Sequence, residues 1–410
     1  MRGASFEAGR ELVRRRPWLT AGIAALSLGA AGLGVSFAVH AQPDDDAFQL
    51  RAEIPASGPP FASALYQSLG VRLVPGNQVA LLDNGAVFDA LVEEIGKARS
   101  SVHVLLYIWE KGAASDRVTA ALVERAKAGV ACRILVDDFG SPDFAKTVQP
   151  PLVQAGCEVR VFRPLPGKDK LARNHRKIVV LDGKVAITGG FGIRDNWLGD
   201  GVHAEGWRDA NVRFAGPAVL RAQQAIAESW QEAGGALLPP EALPELPAAG
   251  PASAAFVSST ASPNVTRSER LTQMMIAAAR KRLWIANAYF IPSQAILDLL
   301  ASKAASGVDV RILAPGMKSD SKTSFGAQQG EYGALMKRGV RVWEYQPSMM
   351  HAKTMVVDDE LSLIGSINLD PLSLNKLEEG ALVVDDRALA AALALGFGRD
   401  CEHAKELSSR

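Results

Sequence analysis

Apolar residues in this chain come in short unbroken runs separated by amphipathic stretches, and the same order of runs is used twice. Val102 to Trp109 is an apolar run of strand length, and Asp116 to Ala128 carries apolar residues at helical spacing until Gly129 ends it. Strand-length runs follow at Cys132 to Val136, Glu158 to Phe162 and Ile178 to Leu181. The segment beginning Ala98 is echoed at Ala279, that at Gly129 by Gly307, and that at His175 by His351, offsets of 181, 178 and 176 residues. A nearly constant offset predicts one duplicated unit. Each copy reads strand, helix, strand, helix, strand, then a further strand that ends in Asp182 or Asp358. Apolar strands alternating with helices predict an α/β fold, a mixed sheet with helices on its faces.

The pattern also divides the chain. Residues 1–41 hold Arg10 and Arg14 to Arg16, then an uncharged stretch from Trp18 to Val39 rich in Ala, Gly and Leu. Twenty-two such residues are enough to span a bilayer. The basic flank keeps the start of the chain cytoplasmic and sends the body across the inner membrane. Val39-His40-Ala41 also reads as a cleavage site, so this is a signal peptide or a transmembrane anchor. Residues 42–75 read as a connector, 76–233 as the first domain and 256–410 as the second. Between them, residues 234–255 carry five prolines and almost no charge, which suits a linker.

Charge narrows the partners. There are 45 Lys+Arg against 44 Asp+Glu, and residues 1–41 account for five arginines and two glutamates. The remainder, 40 against 42, has a net charge of −2, poorly suited to holding nucleic acid through general electrostatics. Cys132, Cys157 and Cys401 are too few and too scattered for a disulfide framework or a zinc site, and are expected as small apolar side chains.

The chemistry lies in a short word used twice. His175-x-Lys177 with Asp182 five residues on is followed by Gly189-Gly190; His351-x-Lys353 with Asp358 is followed by Gly365-Ser366-x-Asn368. Six histidines in the whole chain make a chance duplication of identical spacing remote. In an extended segment, His and Lys at i and i+2 share a face, so each copy offers a nucleophile or proton carrier beside a positive charge. Two copies face to face make a site for a phosphodiester. One imidazole attacks phosphorus, the second protonates the leaving alkoxide, and the ammonium groups with an asparagine amide neutralise the phosphate oxygens. Asp182 and Asp358 complete the motifs but end apolar strands, where bracing the backbone is the expected work. His103 lies inside an apolar strand and is expected in the core; His203 lies in a loop near Asp209.

On these words the sequence resembles the phospholipase D superfamily, whose signature is His-x-Lys-x4-Asp-x6-Gly-Ser/Gly-x-Asn in two copies, and within it the cardiolipin synthase branch. Further stretches carry the likeness: Arg173-Asn174-His175, Trp207-Arg208-Asp209, Tyr289-Phe290-Ile291-Pro292, Tyr345-Gln346-Pro347 and Asn368-Leu369-Asp370-Pro371. The resemblance implies two α-β-α domains packed about a pseudo-twofold axis, with the His-Lys pairs meeting at the seam. It implies a catalytic set of His175, Lys177, Asp182, His351, Lys353 and Asp358, with Asn174, Ser366, Asn368, Asp209 and Glu379 around the substrate. An acid downstream of each motif orients its histidine in the family; Glu379, after His351, and Asp209, after His175, fit that place. The implied reaction makes cardiolipin from phosphatidylglycerol through a phosphohistidine, at a membrane, without metal or organic cofactor and without nucleic acid. A hydrolytic phospholipase D would share every one of these residues. One position departs from the pattern: Gly192 stands where an Asn is expected, and Asn174 is the candidate to replace it.

Overall fold

The computed structural model describes residues 48–165, 172–203, 206–262 and 264–408. The expected leader, residues 1–41, and the first six residues of the expected connector lie outside them. Helix α1 (Gly58–Leu69) precedes the first repeat. The first half then runs β1 (Val74–Asp83), α2 (Ala86–Lys97), β2 (Ser101–Leu106), α3 (Ala113–Lys127), β3 (Ala131–Asp137), α4 (Phe144–Thr147), α5 (Gln149–Gln154), β4 (Glu158–Phe162), β5 (Ile178–Leu181), β6 (Val185–Gly189), β7 (Ala210–Ala215) and α6 (Val219–Glu232). The second half runs β8 (Ala252–Ser259), α7 (Arg267–Ala278), β9 (Arg282–Asn287), α8 (Gln294–Ala305), β10 (Asp309–Pro315), α9 (Lys322–Lys337), β11 (Arg341–Tyr345), β12 (Lys353–Val357), β13 (Leu361–Gly365), α10 (Pro371–Asn375), β14 (Glu379–Asp385), α11 (Arg387–Glu402) and β15 (Ala404–Glu406).

The two halves repeat one strand order. The first is β1-β7-β6-β5-β2-β3-β4 and the second β8-β14-β13-β12-β9-β10-β11, with β15 added at the outer edge. Antiparallel pairing of β1 with β8 makes one continuous 15-stranded sheet of the two. Within each half β2-β3-β4 and β9-β10-β11 are parallel, while β5 and β12 run antiparallel to β2 and β9. Every residue of β2, β5 and β12 is buried, because both faces of the sheet are covered. This is why Ile178–Leu181 reads as an unbroken apolar run and the other two strands are mostly apolar. His103, in the middle of β2, bonds Gln223 at 2.8 Å, and burial pushes it down to about 4, a neutral core histidine. One hydrophobic cluster lies in each half, and a third, with Phe214, Ile226, Phe256, Ile364 and Leu393, spans both.

Three expectations change. The stretch taken as a connector contains α1, whose Phe61, Leu65 and Leu69 at i, i+4, i+8 bury against the core that includes α7. Its prolines open the helix rather than forbid it, since the first turn needs no N–H. The stretch taken as a linker gives up Ala252–Ala255 to β8, and buries Leu238 and Ala242 on the seam cluster. Finally, Cys132 and Cys157 form a disulfide, with Cα atoms 4.6 Å apart. They stand side by side because Arg133 and Glu158, the next residue of each, are register partners in parallel β3 and β4. Among the described residues, no helix is long and apolar enough to cross a membrane.

Candidate active site

Each histidine lies in the extended segment leading into its strand, at the edge of the sheet where β2 and β9 end. That segment pairs with the opposite half. The His175 N–H donates to the Glu378 carbonyl at 2.8 Å, and the Glu378 N–H to the Arg173 carbonyl at 2.9 Å. In mirror fashion the His351 N–H donates to the Arg208 carbonyl at 2.7 Å and the Arg208 N–H to the Met349 carbonyl at 2.9 Å. Both are parallel bridges. Buried ion pairs sit beside them: Arg176 with Glu378 at 2.6 Å, and Arg208 with Asp400 at 2.7 Å.

These bridges cross the acids. His175 Nδ1 lies 2.9 Å from Glu379 Oε1, and His351 Nδ1 lies 2.9 Å from Asp209 Oδ2. The orienting acid of each motif therefore comes from the other half, not from downstream in its own, which corrects the expected pairing. A carboxylate on Nδ1 fixes the tautomer with the proton there and leaves the lone pair on Nε2. Burial holds both rings below the usual histidine value, His351 at about 4, with the charge of Lys353 adding to the effect. Burial also works against ionisation of Asp209 and Glu379. Their hydrogen bonds and the charges of histidine and lysine outweigh it and hold both below the usual carboxylate range.

Lys177 and Lys353, each 1% exposed, complete the cluster. Lys177 Nζ donates to the His175 carbonyl at 2.5 Å and faces the Tyr107 ring at 5.4 Å. Lys353 Nζ donates to the His351 carbonyl and lies against the His351 ring, 2.9 Å from Nδ1 and 3.0 Å from Nε2. Burial pushes Lys353 down to about 8 and Lys177 well below its ordinary value. A phosphodiester bound among these buried groups adds negative charge that favours protonated nitrogen throughout the site.

The two acids are braced differently. Glu379 accepts from the hydroxyls of Ser366 and Ser373. Asp209 accepts from the Trp197 indole N–H at 2.7 Å and from the Ala210 N–H at 2.8 Å. Gly190, the counterpart of Ser366, leaves space that the Asp209 carboxylate fills; a Cβ there would collide with it. Gly192, the counterpart of Asn368, is closely packed: a Cβ there would lie 3.0 Å from Ile108 and 3.1 Å from the Trp197 ring, so a side chain would have to push them aside. The indole thus fills the place of the missing amide. Trp197 stands edge-on to His351 at 5.1 Å with Trp207 on another side at 5.1 Å, while His175 meets Tyr107 edge-on at 4.9 Å.

Of the other expected residues, Asn368 is buried, with Oδ1 unpartnered among the described residues and its main-chain N–H held by Ser373. Asn174 does not replace Gly192's amide. Its own amide donates to Ser229 at 2.9 Å and Glu378 at 3.3 Å, and its Oδ1 accepts from the Arg176 N–H. Ser366 spends its hydroxyl on Glu379, not on a phosphate. Asp182 and Asp358 stand apart from the histidines, at the far ends of β5 and β12. They take the main-chain N–H groups of residues 99–101 and 280–282, both from left-handed backbone with φ of 52° and 53°. His203 is on the surface, paired with Asp200 at 2.7 Å. Trp197, Ser373 and Tyr107 join the site unexpectedly, although Ser373 lies two residues past Asn368-Leu369-Asp370-Pro371 and Tyr107 lies inside the Val102 to Trp109 run.

Comparison with known proteins bears on the same residues. The family model described as cardiolipin synthase, PLD-like domain matches residues 91–220 and 273–401, one match per half. Cardiolipin synthase 1 of Bacillus anthracis is 33% identical over 341 residues, covering 80% of this chain and 67% of that protein. Cardiolipin synthase A of Pseudomonas putida (strain F1) is 35% identical over 339 residues, 81% of this chain and 70% of that protein. Among solved structures, phosphatidylserine synthase of Haemophilus influenzae aligns at a TM-score of 0.60 with 15% identity, over 84% of this chain and 92% of that one, a likeness of fold. Two motifs, two family matches and a seam that unites them lead to one conclusion: this chain belongs to the cardiolipin synthase family of phospholipase D-like proteins.

Proposed function

We propose that this protein is a phosphatidyltransferase that makes cardiolipin from two molecules of phosphatidylglycerol, working at the outer side of a bacterial inner membrane. The observation that carries the reading is the crossed pair of buried dyads, His175–Glu379 and His351–Asp209, each beside a lysine. The Lys353 ammonium crowds both ring nitrogens of His351. Nε2 of His175 accepts no hydrogen bond among the described residues, so we assign it the attack. Its lone pair forms a P–N bond while the P–O bond to the head-group glycerol breaks, and His351 gives that oxygen a proton. His351 is neutral at rest; the entering phosphodiester adds negative charge that raises its proton affinity, so it takes up a proton from solvent on Nε2 as substrate binds and then donates that proton. The hydroxyl of a second phosphatidylglycerol then loses its proton to His351 and forms the new P–O bond as P–N breaks. Lys177, Lys353 and Asn368 hold the phosphate oxygens, so the chemistry calls for no metal and activity is expected to survive EDTA.

The Cys132–Cys157 disulfide supports an oxidising compartment, in line with export by the basic-flanked leader. The reading is tested with purified protein and phosphatidylglycerol alone. Release of glycerol with a lipid of two phosphates and four acyl chains is expected, reversed by added glycerol. Phosphatidic acid as the dominant product at every substrate density would make the enzyme a hydrolase instead.

A further inference from the structure

Phe139 and Met317 are 58% and 67% exposed, and they are counterparts. They are 178 residues apart, the offset of Gly129 and Gly307, and each lies on the loop that leaves the middle parallel strand of its half, β3 or β10. Those strands end at the sheet edge where the histidines sit, so one tip stands on each side of the seam. Large apolar residues in one such position are ordinary; the same exposure in both copies of a duplicated unit is a pattern.

Neither tip is loose. The N–H groups of Phe139 and Gly140 donate to Asp137 Oδ1 at 2.9 and 3.3 Å, and Asp137 in turn accepts from Arg173 and the Asn174 N–H, the residues that lead into His175. On the other side the Gly316 N–H donates to the Tyr345 carbonyl at 3.1 Å, and Lys318 Nζ to the Pro347 carbonyl at 2.6 Å, on the segment that leads into His351. Each tip is thus fixed to the strand approach of its own histidine. Leu165, 39% exposed, is tied beside Phe139 through Asp138 at 2.6 Å. Exposed Lys318 and Lys322 flank Met317, while the nearby acids Asp138 and Asp320 are engaged by the Leu165 N–H and the Tyr289 hydroxyl.

We propose that Phe139 and Met317, with Leu165 beside the first, are paired wedges that seat the mouth of the site on the surface of an anionic phospholipid bilayer. The inference rests on the lipid substrate proposed above. A phosphodiester at the headgroup level must reach a buried pair of rings, and two apolar tips rigidly coupled to those rings set that depth. The lysines beside Met317 meet the anionic headgroups.

The test uses the full chain in vesicles of phosphatidylglycerol and phosphatidylethanolamine. In a Cys401→Ser background, Phe139→Cys, Met317→Cys and, as control, Leu395→Cys (66% exposed, on α11) are each labelled with an environment-sensitive fluorophore. Labels at 139 and 317 are expected to shift to the blue and to be quenched by lipids spin-labelled in the acyl chain. The label at 395 should respond to aqueous iodide alone. Equal iodide access at all three positions overturns the proposal. In a second arm, the Phe139→Ser, Met317→Ser double variant should lose about tenfold or more on bilayer phosphatidylglycerol, yet stay within about twofold on a short-chain, monomeric form. An equal loss on both substrates assigns the tips to the site and overturns the docking role. If the wild type turned over neither lipid, the substrate reading would fall, and the quenching result would still decide the docking.

Discussion

The two halves of the site carry the same reacting groups and brace them by different means. Glu379 is held by two hydroxyls, Ser366 and Ser373; Asp209 is held by one indole, Trp197, and the main-chain N–H of Ala210. On the first side glycines at 190 and 192 clear space for the Asp209 carboxylate and the Trp197 ring, where the second side has Ser366 and Asn368. The rings differ as well. His351 sits between two indoles with Lys353 on it, and His175 beside one tyrosine. The duplication has kept the chemistry and let the supports diverge. Both halves place a carboxylate on Nδ1, and each fixes that carboxylate in its own way.

The comparison breaks most completely at the rings. H175A and H351A should each lower turnover by about a thousandfold or more, because each transfer needs both. Circular dichroism should show both variants folded. If either kept near-normal turnover, the two halves would not form one site.

Next come the acids. Glu379→Gln and Asp209→Asn should each cost about a hundredfold in kcat, since an amide disturbs the tautomer without emptying the space. A loss in one alone would mean that only one histidine needs its carboxylate.

The supports should matter less and unequally. Trp197→Phe removes the indole N–H from Asp209, leaving it only the main-chain N–H of Ala210 besides the ring of His351, and should lower kcat by about tenfold, more than Ser366→Ala, which leaves the Ser373 hydroxyl on Glu379. Gly192→Asn should not restore a missing function. The new side chain meets Trp197 and Ile108, so a loss of about 1–3 kcal/mol in denaturant stability is expected. A stable, faster Gly192→Asn enzyme would mean that the indole is no replacement.

Lys353 sharpens the comparison in pH. Burial lowers it to about 8, so its charge is present at neutral pH and lost as pH rises through about 8. The value of kcat/KM should fall on that alkaline limb. Lys353→Arg, slower throughout, should lack the limb, because guanidinium keeps its proton. A limb unchanged in Lys353→Arg would assign it elsewhere.

Much of this was legible in the chain. The unbroken apolar run at Ile178–Leu181 coincides with β5 because a strand covered on both faces leaves no polar alternation to misread, and Glu158–Phe162, which alternates polar and apolar residues, coincides with the half-exposed edge strand β4. The repeated motif located both histidines. Spacing could not tell which acid meets which ring, because bridges across the seam join residues such as His175 and Glu379 that are 204 apart. Asn174 and Ser366 were read as phosphate ligands because residue type shows capacity for a hydrogen bond, not its direction; both are spent within the protein. Cys132 and Cys157 looked scattered until β3 and β4 lay in register.

The crossed pairing of rings and acids is tested most directly by the downfield proton spectrum of the enzyme, where an imidazole Nδ1–H bonded to a buried carboxylate gives a resolved resonance. H175A and H351A identify which resonance belongs to which ring. The account predicts that Glu379→Gln removes or moves the His175 resonance and leaves that of His351, and that Asp209→Asn does the reverse. If Glu379→Gln instead removed the His351 resonance and left that of His175 in place, each half would brace its own histidine and the crossed seam would be wrong.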